Sequence, residues 1–191
     1  MKALLIVDVQ NDFCPGGALP ALKGDKVVPV INKIIDKFNL VVASKDWHPS
    51  ETIHFFKWPK HCVQGTTGAQ FHPGLPVHRF DKIFVKGTGN IDDGYSSFEA
   101  TNADLAKYLK DRNVDTVFIA GLTIEYCVKT TVLDAIKNGF ETFVIKDAVE
   151  GIYQHEGDVE KAFAEMEAAG AKIIESTDVD TENKKSEQIN F

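Results

Sequence analysis

Six short runs of apolar, mostly branched residues recur along the chain, and between them lie amphipathic helical stretches or long loops. The runs are residues 3–9, 40–43, 82–85, 116–120, 142–145 and 171–175. They do not alternate apolar with polar, so both faces of each strand must be covered. Between them, residues 25–38 set Val28, Ile31, Ile34 and Ile35 on one helical face, and 100–112 do the same with Leu105, Tyr108 and Leu109. Residues 126–138 carry Val128, Val132, Ala135 and Ile136 at helical spacing, and 158–169 carry Val159, Ala162, Phe163 and Met166. Gly139 and Gly170 stand where the last two helices should stop. Strands alternating with helices predict a six-stranded, mostly parallel sheet with helices on both faces, an α/β fold.

At 191 residues the chain suits one domain that buries a core without disulfides. We place the body at 1–175 and read 176–191 as a polar tail, in which Ile189 and Phe191 are the residues able to dock. The 28 acidic residues outnumber the 21 basic ones, which argues against nucleic acid or an anionic membrane as partner. No apolar run approaches the roughly 20 residues that span a bilayer. Asp8 breaks the N-terminal apolar run too early for a signal peptide. A cytoplasmic location follows, and three cysteines are an odd count that fits reduced thiols there.

In parallel α/β sheets ligands sit beyond the carboxyl ends of the strands. The first strand ends near Asp8, the second runs into Lys45, Asp46, Trp47 and His48, the third ends at Lys86, and the fourth leads through Gly121 to Cys127. A carboxylate, an Asp/His pair, an amine and a thiol therefore reach one edge. Cys127 falls in the first turn of the following helix, where the helix dipole is expected to lower its pKa and supply thiolate. Asp8 is placed to carry the proton and Lys86 to hold the Asp8 charge, which makes Cys/Asp/Lys a more natural set than a Cys/His dyad. The Gly121-Leu122-Thr123 turn can aim N–H groups inward as an oxyanion hole.

Five of the six histidines and four of the seven prolines fall between positions 48 and 78. That stretch has no sustained period, yet Trp47, Phe55, Phe56, Trp58 and Phe71 give it apolar area to bury. In extended backbone Asp46 and His48 face one side. With His54 and His61 they form a donor set suited to one divalent transition metal, zinc first, with iron or manganese as alternatives.

These residues carry a resemblance. The stretches Leu5-Ile6-Val7-Asp8-Val9-Gln10-Asn11-Asp12-Phe13 with Pro15-Gly16-Gly17, Lys45-Asp46-Trp47-His48-Pro49, Trp58-Pro59-Lys60-His61-Cys62-Val63, Val85-Lys86-Gly87, Tyr95-Ser96-Ser97-Phe98 and Gly121-Leu122-Thr123-Ile124-Glu125-Tyr126-Cys127-Val128 resemble the nicotinamidase/pyrazinamidase branch of the isochorismatase-like cysteine hydrolases. The likeness runs to about Glu175. It implies a three-layer, Rossmann-like α/β/α fold and hydrolysis of nicotinamide, and also of pyrazinamide, with release of ammonia. It implies Cys127 as nucleophile, Asp8 as proton carrier and Lys86 as third catalytic group. Asp46, His48 and His61 are implied as metal ligands, with His54 a ligand that only some members use. Phe13 and Trp58 match the walls of a pyridine pocket, joined by Tyr95 and Tyr126. The N–H groups of Thr123 and Cys127 match an oxyanion hole, with a cis peptide at Leu122-Thr123. The partner implied is a small molecule; the oligomeric state, a homo-oligomer included, is left open. Thr123-Ile124-Glu125 departs from the commoner family pattern, and Asp92 and Asp93 add acid to the Gly87–Gly94 segment. Competing readings are another amidohydrolase of the superfamily acting on an N-carbamoyl compound, and a metal-binding protein without turnover.

Overall fold

The computed structural model describes residues 1–180. Its six strands are β1 (Lys2–Val7), β2 (Leu40–Asp46), β3 (Lys82–Lys86), β4 (Thr116–Leu122), β5 (Glu141–Glu150) and β6 (Lys172–Ile174). They form one sheet in the order β3-β2-β1-β4-β5-β6, with every neighbouring pair parallel. The helices are α1 (Val27–Ile34), α2 (Leu105–Lys110), α3 (Lys129–Lys137) and α4 (Asp158–Ala169).

Successive side chains of a strand point to opposite faces, and β1 divides accordingly. Leu4 and Ile6 pack with α1 residues Val28 and Ile31, while Ala3, Leu5 and Val7 pack with Leu105 and Leu109 of α2, Val132 of α3 and Met166 of α4. The result is the expected three layers, and both faces of the central strands are dry.

Several boundaries differ from expectation for local reasons. The first apolar run leaves the sheet at Asp8, where the backbone turns to a positive φ of 48°. Helix α2 starts five residues late, because Thr101 and Asn102 bond along the edge strand: Thr101 N–H donates to Val85 O at 2.8 Å and Asn102 bonds both Ile83 O and Val85 N–H at 2.9 Å. Asp104 then caps α2 by accepting from Lys107 N–H. The helix expected over 126–138 begins as a single π-type turn, Ile124–Val128, before α3.

Residues 176–180, read from composition as tail, are tied to the body. Ser176 bonds Asp147 through N–H and Oγ, Val179 is fully buried, and Lys37 pairs with Asp180 at 2.7 Å. Ile189 and Phe191 lie outside the described residues. Among the described residues no helix is long and apolar enough to cross a membrane.

Candidate active site

Sheet register assembles the first half of the site. Asp46 and Lys86 are directly paired at the ends of β2 and β3, and Lys86 Nζ bonds Asp46 Oδ1 and Gly94 O. The same ammonium lies 2.7 Å from Asp8 Oδ2 and donates to Cys127 Sγ at 3.6 Å. Asp8, Asp46 and Cys127 each bring a donor atom within 4.8 Å of the others. Gly121 permits this convergence: its φ is +124°, and a Cβ there would run into the backbone of Val7. A substituted residue would push β4, and the turn carrying Cys127, away from β1.

All four groups are buried, so their charges set one another. Burial opposes the charge on Lys86, but Asp46 and Asp8 outweigh it and hold the ammonium protonated well above its ordinary range. Burial likewise works against ionised Asp46, yet Lys86 and His48 hold its carboxyl below the usual range. Asp8 goes the other way: burial raises it to about 6, against the opposing pull of Lys86. The expected low pKa of Cys127 is not met in the resting site. Burial pushes the thiol well above its ordinary value; Lys86 pulls it back, and the two carboxylates push it further. The resting pair is therefore a thiol facing an Asp8 carboxylate, not a free thiolate.

The histidine loop completes the second half. His48, His54 and His61 are buried, and one ring nitrogen from each lies within 4.8 Å of the others. Asp46 borders them, with Oδ2 3.7 Å from His48 Nε2, so this carboxylate faces Lys86 with one oxygen and the imidazoles with the other. His61 Nδ1 is bonded to Pro59 O at 2.7 Å and His54 Nδ1 to Asp92 Oδ1 at 3.0 Å. Burial, with the neighbouring imidazoles, holds His54 down at about 4 and lowers His61, which disfavours the charged form of both rings. His48 Nε2 is buried without a hydrogen-bond partner among the described residues. Imidazoles with unspent nitrogens beside a carboxylate fit a divalent transition metal.

Between the two halves lies a small cavity of about 20 Å³ lined by Phe13, Asp46, His54, Trp58, His61, Tyr95, Thr123, Tyr126 and Cys127, together with Leu19, Gly94 and Ile152. Trp58 meets Tyr126 edge-on at 4.8 Å, and Phe13 lies 5.4 Å from His61. Trp58 Nε1–H donates to Tyr95 Oη at 3.0 Å, which donates onward to Asp92 Oδ1 at 2.9 Å. The Leu122–Thr123 peptide is cis. Thr123 O accepts from the N–H groups of Tyr126 and Val128, which bracket that of Cys127.

The residues named from sequence as catalytic, metal-ligating or pocket candidates thus lie in or against one site. Others were missed. Gln10 holds Asp46 from both sides, donating to its carbonyl and accepting from its N–H, each at 2.8 Å. Ser44 Oγ donates to Asp8 and is itself met by Ser97 Oγ at 2.8 Å, with Thr131 behind. Asp12 accepts from Cys62 N–H at 2.7 Å and anchors the turn after His61. Buried Ser and Gln carry no periodic signal, and only the proximity of Gln10 to Asp8 in sequence hinted at a role.

The sequence matches the isochorismatase domain over residues 2–178. It is 38% identical to the nicotinamidase of Escherichia coli over 93% of this chain and 96% of that one. Among solved structures, the pyrazinamidase of Pyrococcus horikoshii in complex with zinc superposes with a TM-score of 0.83 at 46% identity, covering 91% of this chain and 98% of that one. PnC1 from L. infantum in complex with nicotinate gives a TM-score of 0.86 at 34% identity, covering 93% of each chain.

Proposed function

The chain belongs to the isochorismatase family, and from that premise we propose that it is a nicotinamidase, hydrolysing nicotinamide to nicotinate and ammonia and accepting pyrazinamide as an analogue. The observation that carries this reading is the position of Lys86 Nζ, 2.7 Å from Asp8 and 3.6 Å from Cys127, under a cavity walled by Trp58, Tyr126 and Phe13. An aromatic slot suits a flat heteroaromatic ring, and a thiol with a carboxylate suits an amide carbon.

In the mechanism we assign, Asp8 takes the proton from Cys127, and Sγ attacks the carboxamide carbon. The carbonyl electrons move to oxygen, where the N–H groups of Thr123 and Cys127 hold the charge; one such donor typically contributes about 3 kcal/mol to the transition state. Collapse breaks the C–N bond, and Asp8 returns its proton to the nitrogen, which leaves as ammonia. A water then gives its proton to Asp8 and attacks the thioester. The C–S bond breaks, nicotinate leaves, and Cys127 regains the proton. Lys86 keeps its charge throughout, donating to sulfur as negative charge develops there.

Asp46, His48 and His61, with His54, are the residues that would hold the metal, zinc first with iron or manganese as alternatives. When bound, the ion would fix the pyridine nitrogen and withdraw electrons from the ring. Three free thiols support a reducing, cytoplasmic setting.

The test is release of ammonia from nicotinamide, compared with an N-carbamoyl amino acid. We expect nicotinamide to be turned over with the higher kcat/KM. Preference for the N-carbamoyl compound, or no ammonia from either, would overturn the assignment.

A further inference from the structure

Two loops meet over the site, residues 52–58 and 89–95. Thr52 Oγ1 donates to Gly89 O at 3.3 Å, and Ile53 N–H donates to Asn90 Oδ1 at 2.9 Å. Asp92 sits where they cross. Its Oδ1 is 3.0 Å from His54 Nδ1 and accepts from Tyr95 Oη at 2.9 Å, while Oδ2 pairs with Lys57. Through Tyr95 it also reaches Trp58 Nε1. One carboxylate, 22% exposed at its side chain, therefore touches the fourth candidate metal donor and the hydrogen-bond chain of an aromatic wall.

A carboxylate paired with an ammonium only accepts. His54 must then carry its proton on Nδ1, which leaves the Nε2 lone pair free for coordination. His61 obtains the same tautomer from a backbone carbonyl, Pro59 O, which no substitution at position 59 removes. Among the described residues no such carbonyl bonds the His54 ring; its Nδ1 relies on a side chain from another loop, Asp92.

We propose that Asp92 is a positioning residue that makes His54 a metal donor in this chain and links that donor to the Tyr95–Trp58 wall. The inference rests on the metal-dependent reading above and goes beyond it: whether the fourth donor is engaged is decided by a residue on the opposite loop.

The experiment measures the affinity of the full-length protein for Zn²⁺ by competition with a chromophoric chelator, in wild type, Asp92→Ala, Asp92→Asn, His54→Ala and the Asp92→Ala/His54→Ala pair. Loss of an outer partner typically weakens metal binding by about 10- to 100-fold. We expect Asp92→Ala to lie in that range, Asp92→Asn to recover part of the loss by restoring an acceptor, and Asp92→Ala to add nothing once His54 is gone. Equal affinity in Asp92→Ala and wild type, or a full second loss in the double variant, would overturn the proposal. Wild-type protein that takes up no Zn²⁺ would defeat the metal reading itself, and this inference with it.

Discussion

Ser44 Oγ donates a 2.7 Å hydrogen bond to Oδ1 of Asp8, and this leaves Oδ2 as the oxygen turned to Lys86. Among the described residues Oδ2 accepts no hydrogen bond of good geometry, although Lys86 Nζ lies 2.7 Å away. One oxygen of the carboxylate is thus spent on holding the group, and the other is open for a proton. The division gives Asp8 a fixed orientation in a site where burial alone would neutralise it.

The pH dependence follows from that carboxylate. Asp8 is raised to about 6, burial being the largest cause, and it must be ionised to take the thiol proton. We expect kcat/KM for nicotinamide to rise with pH through about 6 and to be lost below it. The Ser44 bond favours the ionised form, so Ser44→Ala should move the acid limb to higher pH. A limb that stays in place in the variant would remove Ser44 from this role.

Lys86 should matter for folding as well as for turnover. Its ammonium is completely buried between Asp8 and Asp46, and removing one partner of a buried pair strands the others, typically at about 3–5 kcal/mol. Lys86→Ala is expected to lower the urea midpoint markedly and to abolish activity. A midpoint equal to that of wild type would mean that the two carboxylates are neutral without the amine.

Much of this was legible in the sequence because strand ends in a parallel sheet share one edge. Asp8, Asp46 and Lys86 could be read from where three apolar runs stop, and Cys127 from the turn after the fourth. The histidine loop was legible through clustering. What was not legible depended on contacts between distant segments. Thr101 and Asn102 bond to β3 where a helix was expected. The dehydration of Cys127 reverses the sign of its expected pKa shift. Ser44, Gln10 and Asp92 act through side-chain hydrogen bonds to distant segments, which leave no pattern in the chain.

The imidazole set makes a separate prediction. His48 Nε2 is buried without a partner among the described residues, beside His54 and His61. Protein dialysed against a strong chelator should lose nicotinamide hydrolysis and regain it on addition of Zn²⁺. His48→Ala should retain well under one equivalent of metal by elemental analysis and show a raised KM. Full metal content in that variant would rule out His48 as a ligand.

The central claim is that the Cys127 sulfur forms the bond to substrate carbon. The most direct measurement is intact-protein and peptide mass spectrometry of enzyme acid-quenched during turnover of nicotinamide, run beside ammonia release by Cys127→Ala. The account predicts one nicotinoyl group on the peptide containing Cys127 in wild type, and neither adduct nor ammonia from the variant. A nicotinoyl group on another residue, or ammonia released by Cys127→Ala at the wild-type rate, would contradict it.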